Sequence, residues 1–135
     1  MSAKRFIDTN VLIYAFAKGD PRTPTAEKIL TEGGAFSVQV LNEFARVSHH
    51  KLGVDWNEIA RRLKLVRSLL DPPAPLTEQL HDAARDIARS RKIAFYDALT
   101  VAAALAVNCE ELLTEDLQAG AKFSALTVRN PFATP

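Results

Sequence analysis

The sequence of 135 residues contains a single cysteine, Cys109, so it cannot form an internal disulfide. Cys109 lies in the apolar segment ALAVNCEELL, which favours a small buried hydrophobic residue over a reactive thiol. Nothing in this cysteine usage indicates an oxidising compartment.

The sequence also lacks an excess of charge and a long apolar run. Seventeen basic residues against sixteen acidic ones leave a formal charge of +1, so any nucleic-acid-binding surface has to be local. No segment reaches the roughly 18 uninterrupted apolar residues of a membrane span. A signal peptide is disfavoured, because Asp8 and Asn10 interrupt the apolar stretch that follows AKRF. We expect a cytoplasmic protein without a membrane segment.

Apolar residues make up 47% of the chain. Short apolar segments alternate with longer segments in which apolar residues recur at helical spacing. The segments KRFI, AFSV, EELLT and ALTV predict strands, and a very short extended piece is expected around Leu76. Short buried strands that alternate with helices indicate an α/β fold with a mainly parallel sheet covered on both faces. The length suits one domain over residues 1–135, with disorder expected only at the terminal ATP.

Capping residues predict where several helices begin. Asn10 is expected to cap VLIYAF, Ser37 a helix from Gln39 to Lys51, and Thr77 a helix through about Arg91. Asp55 stands three residues before a glutamate, as in a capping box, and opens a helix expected to bury Trp56, Ile59, Leu63, Val66 and Leu70. A further short helix, TAEKILTE, is expected to stop at two glycines.

Two acidic side chains follow predicted strands, and two others lie on helices near the same edge of the sheet. Asp8 follows the first strand and Asp116 follows the ELLT strand. Glu43 is placed on the Gln39–Lys51 helix, and Asp97 in the first turn of the apolar helix AFYDALTVAAALAVN. Because ligands of open parallel sheets bind outside the carboxyl ends of the strands, we expect these four acids to converge there.

Four converging carboxylates require a compensating charge. Two like charges about 4 Å apart repel by roughly 4 kcal/mol at an effective dielectric near 20. A divalent cation would remove the conflict, since carboxylate oxygens are natural ligands of Mg²⁺ or Mn²⁺. Such a site suits the hydrolysis of phosphodiester bonds.

Each acid taken alone has an ordinary structural explanation. Asp8 could end a strand in a turn, Glu43 could face solvent, and Asp97 could complement the helix dipole. Asp116 could cap a helix formed by LQAGAKF. Basic residues that could contact phosphates also fit solvated helix faces; they are Arg46, Arg61, Arg62, Lys64, Arg67, Arg89, Arg91 and Lys92.

The order and spacing of several motifs resemble the PIN-domain ribonucleases of the VapC toxin type. The motifs are FIDTNVLIYAF, SVQVLNEF, FYDALTVAAAL, LLTEDL and the terminal VRNPF, which together span nearly the whole chain. The resemblance implies a PIN-like three-layer sandwich, with a central, mainly parallel sheet flanked by helices.

The resemblance also implies roles for individual residues. It places Asp8, Glu43, Asp97 and Asp116 in an acidic catalytic site, with Asp8, Asp97 and Asp116 as metal ligands. It further implies that Thr9, Asn10 and Thr114 orient a carboxylate or a water. The fourth acid stays open between Glu115 and Asp116, because the two are adjacent and Gln118 stands where the family pattern often has another acid.

The function implied is a Mg²⁺-dependent endoribonuclease, the toxin of a toxin-antitoxin pair, with single-stranded or structured RNA as substrate, a cognate antitoxin as inhibitor and a homodimer as the assembly. The alternative is a non-catalytic PIN-like module that binds a metal and a partner. A receiver-like phosphoacceptor domain ranks last, because no lysine suits the role that such domains require. The sequence leaves open the RNA, the bond cut, and whether one or two metal ions bind.

Overall fold

The computed structural model describes residues 4–133, which form a four-stranded sheet and six helices. The strands are β1 (Arg5–Ile7), β2 (Glu111–Leu113), β3 (Lys122–Phe123) and β4 (Leu126–Arg129). The helices are α1 (Thr9–Ala15), α2 (Thr23–Glu32), α3 (Val38–His50), α4 (Trp56–Leu69), α5 (Glu78–Arg91) and α6 (Phe95–Ala106). None of the helices within residues 4–133 is both long and apolar enough to cross a bilayer.

The sheet is mainly parallel, as predicted. Its strand order is β1-β2-β4-β3, with β1, β2 and β4 parallel and β3 antiparallel at the edge. Successive residues of β1 and β2, Phe6 with Ile7 and Leu112 with Leu113, are all fully buried. Since neighbouring side chains of a strand point to opposite faces, helices must cover both faces of the sheet. The chain therefore has the three-layer α/β architecture.

The side-chain caps of three helices lie where the sequence predicts them. Ser37 accepts a hydrogen bond from the N–H of Val40, Asp55 from that of Glu58, and Thr77 from that of Leu80. The predicted cap of α1 was wrong by two residues. The helix begins at Thr9, and Asp8 is its cap, because β1 runs directly into the helix.

The predicted strand AFSV was also wrong, because only isolated bridges form there. Ala35 pairs with Phe6 and Ser37 pairs with Ala74. Two glycines precede this segment and Ser37 already caps α3, so too few extended residues remain for a ladder. The extended piece expected at Leu76 is the single bridge at Ala74, and Leu76 itself is exposed.

Strand β3 and the position of Trp56 also differ from the sequence predictions. Strand β3 was not predicted, because two residues are too few to show a periodic pattern. Trp56 was expected in the core, but its side chain is 55% exposed and stacks on His49 with ring centroids 4.0 Å apart. Of the terminal ATP segment, Thr134 and Pro135 lie outside the described residues.

Candidate active site

Asp8 lies at the carboxyl end of β1, where the strand passes into α1. Its N–H donates to the carbonyl of Leu113 at 3.2 Å, which places it beside the end of β2. The side chain is buried, with only 6% of the residue exposed. One carboxylate oxygen, Oδ1, accepts from the N–H of Thr9 at 2.8 Å, so the acid that faces the sheet edge also caps the helix.

Thr114 joins the two strand ends through its hydroxyl group. This residue directly follows β2 and is buried. Its Oγ1 donates to Oδ2 of Asp8 at 2.7 Å and accepts from the N–H of Asp116 at 3.1 Å. The hydroxyl therefore fixes the second oxygen of Asp8 and shapes the loop that carries Asp116.

Asp116 is exposed and lies across the sheet edge from the start of α1. The amide of Asn10 donates to its two carboxylate oxygens at 3.3 and 3.5 Å. No helix follows Asp116 in the described part of the chain, since residues 117–121 contain only a bend, a turn and irregular backbone before β3. A helix-capping role for Asp116 is therefore excluded.

Glu43 is half-buried on α3 and faces the same region. The hydroxyl of Thr9 donates to its Oε2 at 3.0 Å, and the amide of Gln39 donates to its Oε1 at 3.0 Å. Because Thr9 also donates its N–H to Asp8, it connects these two acids. The start of α1 thus contacts three acidic side chains through residues 9 and 10.

Asp97 is half-buried in the first turn of α6. No side-chain hydrogen bond or ion pair fixes its carboxylate within residues 4–133. Burial raises the pKa of Asp97, and the nearby charges of Asp116 and Glu43 raise it further. The same two charges act on Asp8, so all four predicted acids share one electrostatic environment.

The pKa values in this cluster are raised chiefly by burial. The pKa of Asp8 moves from its ordinary 3.8 to about 6, despite the hydrogen bonds from Thr114 and Thr9, which lower it. The pKa of Asp116 is also raised, by partial burial and by Glu115 and Glu43. No lysine or arginine within residues 4–133 forms an ion pair with Asp8, Glu43, Asp97 or Asp116. The rim is negatively charged and uncompensated.

Glu115, the alternative fourth acid, is occupied elsewhere. Its carboxylate accepts a hydrogen bond from the hydroxyl of Tyr14 and lies 3.8 Å from the guanidinium of Arg22. Arg22 in turn stacks over the Tyr14 ring at 3.5 Å and pairs with Asp20 at 2.8 Å. Glu115 therefore belongs to a compensated cluster, whereas its neighbour Asp116 belongs to the uncompensated one.

The contacts of Tyr14 and Arg22 with Glu115 were not predicted from the sequence. Tyr14 was expected to be a core or interface residue, and its half-buried ring does pack edge-on against Phe132 at 5.1 Å. Its hydroxyl, however, reaches a residue 101 positions away in the chain. No local pattern predicts a contact over that separation.

The acids are suited to Mg²⁺ even though they do not form a closed cage. Among residues 4–133, no three His, Cys, Asp or Glu side chains converge as a ready-made metal cluster. Mg²⁺ usually binds through one or two carboxylates, several waters and substrate phosphates, so it does not require such a cluster. Asp8 offers a buried carboxylate with no cationic partner in the described chain, which is the donor that a hard dication selects.

The sequence model of the PIN domain matches residues 5–122 of the chain. None of the curated protein sequences compared with the chain matches it significantly.

Solved structures share the fold at low sequence identity. VapC20 of Mycobacterium tuberculosis, a toxin that cleaves the sarcin-ricin loop, has a TM-score of 0.66 at 18% identity over 84% of this chain and 92% of its own. A toxin-antitoxin complex from Klebsiella pneumoniae has a TM-score of 0.72 at 19% identity, over 97% of this chain and 100% of its own. VapBC2 from Rickettsia felis, bound to a promoter DNA fragment, has a TM-score of 0.64 at 19% identity, over 93% of this chain and 97% of its own.

Proposed function

Because this chain belongs to the PIN-domain family, we propose that it is an endoribonuclease that depends on a divalent metal, Mg²⁺ or in its place Mn²⁺. The observation that carries the proposal is the shared rim of Asp8, Glu43, Asp97 and Asp116, which no lysine or arginine of the described chain neutralises. Structural relatives that are VapC toxins support it further.

We assign Asp8, Asp97 and Asp116 as the metal ligands. Asp8 is the best-fixed of them, because Thr114 and the Thr9 N–H hold its two oxygens. Asn10 holds Asp116 across the sheet edge. Asp97 has no such restraint within residues 4–133, so its carboxylate is free to turn toward a bound ion.

We propose that Glu43 orients the attacking water. Thr9 and Gln39 each donate to one of its oxygens, which fixes the carboxylate and leaves lone pairs for a water molecule. When bound, the dication supplies Lewis-acid stabilisation of negative charge on the phosphoryl oxygens and a more acidic water. The protein residues supply orientation, and Thr9 couples Glu43 to Asp8.

We further propose that the protein is the toxin of a toxin-antitoxin pair, with RNA as substrate, a cognate antitoxin as partner and a homodimer as its assembly. Similarity to toxin-antitoxin complexes over most of both chains supports this role. We also propose that residues 1–135 form one domain, since the buried apolar side chains of residues 4–133 form one continuous core.

The purified full-length protein is expected to cleave a mixed-sequence RNA in Mg²⁺ and to lose cleavage when EDTA is added. Asp97→Asn is expected to lower the rate at least about a hundredfold while the far-UV circular dichroism stays unchanged. Calorimetry with Mg²⁺ or Mn²⁺ distinguishes the nuclease from the alternative, a non-catalytic module. Metal binding without any RNA turnover would indicate the non-catalytic module.

Two neighbouring variants test the choice between the adjacent acids. Asp116→Asn is expected to weaken metal binding at least about tenfold, since it removes an oxygen ligand from the rim. Glu115→Gln is expected to change it less than about threefold, because Glu115 already pairs with Tyr14 and Arg22 and its charge acts on the rim only through its neighbour Asp116. Calorimetric titration with Mn²⁺ measures both. The reverse order would assign the site to Glu115.

A further inference from the structure

An open cleft adjoins the acidic rim between α3 and the start of α6. It has a volume of about 320 Å³ and is lined by Gln39, Asn42, Glu43, Arg46 and Tyr96. The four α3 residues occupy positions i, i+3, i+4 and i+7, so they lie on one face of the helix. Glu43 belongs to this face and to the rim, which makes the cleft continuous with the proposed catalytic site.

Tyr96 contributes an aromatic ring that the fold does not use for its core. The residue is 61% exposed, more than any other large hydrophobic side chain in the described chain. Its ring contacts Phe95 in an edge-on arrangement, with centroids 5.6 Å apart. Tyr96 lines the cleft together with Glu43 and directly precedes Asp97 in α6, so the ring lies at the acidic rim on the side of Glu43.

The polar side chains of the cleft are also available for a ligand. Arg46 forms no ion pair within residues 4–133, and the amide of Asn42 forms no hydrogen bond there. The other arginines named as phosphate contacts include several with internal partners. Arg61 and Arg62 pair with Glu58, and Arg91 donates to the carbonyl of Lys122. Arg46 differs from these three arginines because it has no ion pair within residues 4–133 and lines the cleft together with Glu43.

We propose that this cleft binds one unpaired nucleotide of the RNA beside the bond that is cut. Tyr96 stacks on its base, Arg46 contacts a phosphate and Asn42 contacts a base edge. An exposed aromatic next to an unpaired guanidinium is the combination that binds single-stranded nucleic acid. A base in a duplex cannot stack on a side chain, so the substrate has to be unpaired at this position. The inference rests on the proposed nuclease function and adds to it the cleft and the residues that hold the unpaired nucleotide.

Trp56 provides a comparison and a control. It is also an exposed aromatic, but one face of its ring already stacks on His49. His49 lies six residues beyond Glu43 on α3, which is about 9 Å along the helix axis. Loss of this ring should therefore leave the cleft unaffected.

The test is equilibrium binding of a fluorescent 12-nucleotide RNA to the full-length protein in EDTA, which prevents metal-dependent cleavage. The RNA is measured single-stranded and annealed to its complement. Tyr96→Ala is expected to weaken single-strand binding about five- to hundredfold, the effect of one lost stacking contact. Tyr96→Phe should stay within about threefold of wild type, and Trp56→Ala within about twofold. Arg46→Gln should lower the slope of log affinity against log salt by about 0.7, the contribution of one phosphate.

The outcomes separate this proposal from the nuclease assignment. Single-strand binding that is unchanged in Tyr96→Ala, or equal binding of duplex and single strand, would overturn the subsite while cleavage in Mg²⁺ still supports the enzyme. Tyr96-dependent binding without any cleavage in Mg²⁺ would support the subsite and reject the nuclease. If Tyr96→Ala instead weakens only the binding of a protein partner, the cleft is a protein-binding surface and the proposal is wrong.

Discussion

Asp8→Asn is expected to lose metal-dependent RNA cleavage and, at the same time, to be more stable than wild type in metal-free buffer at pH 7. The loss of cleavage, at least about a hundredfold, follows from removing the buried anionic ligand. The gain in stability follows from removing a buried charge that no cation of the described chain compensates.

The size of the gain follows from the pKa of Asp8. Burial raises that pKa from 3.8 to about 6, so the fold disfavours the ionised form. A difference of this size corresponds to at most about 3 kcal/mol. We expect the free energy of unfolding to rise by about 1–3 kcal/mol in Asp8→Asn. An asparagine keeps an oxygen for the Thr9 N–H and its amide can donate to the Thr114 hydroxyl oxygen, but the Thr114 hydroxyl proton then loses its acceptor, so we expect the gain to fall short of the full value of about 3 kcal/mol.

The pH dependence provides the control. Because the folded-state pKa of Asp8 lies above the unfolded-state value, metal-free wild type gains stability from this group as pH falls from about 6 toward 4. The difference between Asp8→Asn and wild type should therefore be largest near pH 7 and vanish below about pH 4. Saturating Mg²⁺ should stabilise only wild type and reduce the difference. Urea unfolding at pH 4, 5.5 and 7 measures this, and a variant less stable than wild type at pH 7 without metal would contradict it.

Gly34→Ala is expected to destabilise the fold by about 2–4 kcal/mol, which lowers the melting temperature by roughly 10 °C. Gly34 has φ of +153°, and an added Cβ would lie 2.9 Å from the carbonyl oxygen of Arg5 and 3.0 Å from Cδ1 of Ile7. Neither neighbour can move freely. The Arg5 oxygen accepts the N–H of Ala35 at 2.8 Å, and Ile7 is fully buried.

This variant also affects the proposed active site, because β1 ends directly before Asp8. Displacing the strand would move the carboxylate relative to Thr114, so metal affinity should fall together with stability.

Gly53→Ala is the matched control. Gly53 also has a positive φ, +67°, but an added Cβ would meet no atom within 4 Å. Its cost should be limited to backbone strain of about 1 kcal/mol, with metal binding unchanged. Thermal unfolding followed by circular dichroism compares the two, and equal losses would show that the close approach to β1 is unimportant.

The proposed site gathers side chains from four separate parts of the chain around the start of α1. Thr9 and Asn10 contact Asp8, Glu43 and Asp116 within two consecutive residues. A short helix that begins at a buried acid therefore contacts two of the other three acids, Glu43 and Asp116. This arrangement explains why the polar pair TN directly follows the first aspartate.

Much of the helical structure was predictable from local chemistry. The caps Ser37, Asp55 and Thr77 each satisfy backbone N–H groups within three residues, so the information lies in the adjacent sequence. The same principle misplaced the cap of α1. Asn10 and Asp8 are equally good caps, and only the end of β1 at Ile7 decides between them.

The sequence also indicated that acids at strand ends would meet, since parallel strands present their carboxyl ends at one edge. It could not show that Asp8 is buried, that Trp56 is exposed, or that Tyr14 and Arg22 compensate Glu115. The sequence also did not show that Tyr96 is exposed, because an aromatic residue in an apolar helix is typical of a core position.

The sequence by itself therefore determined the α/β class and most helix starts, and it named the candidate acids, because these depend on periodicity and on neighbours a few residues apart. The tertiary structure alone decided which acids remain uncompensated and which aromatic faces solvent. Those properties depend on burial and on partners about a hundred residues distant, as between Tyr14 and Glu115, and no local pattern encodes them.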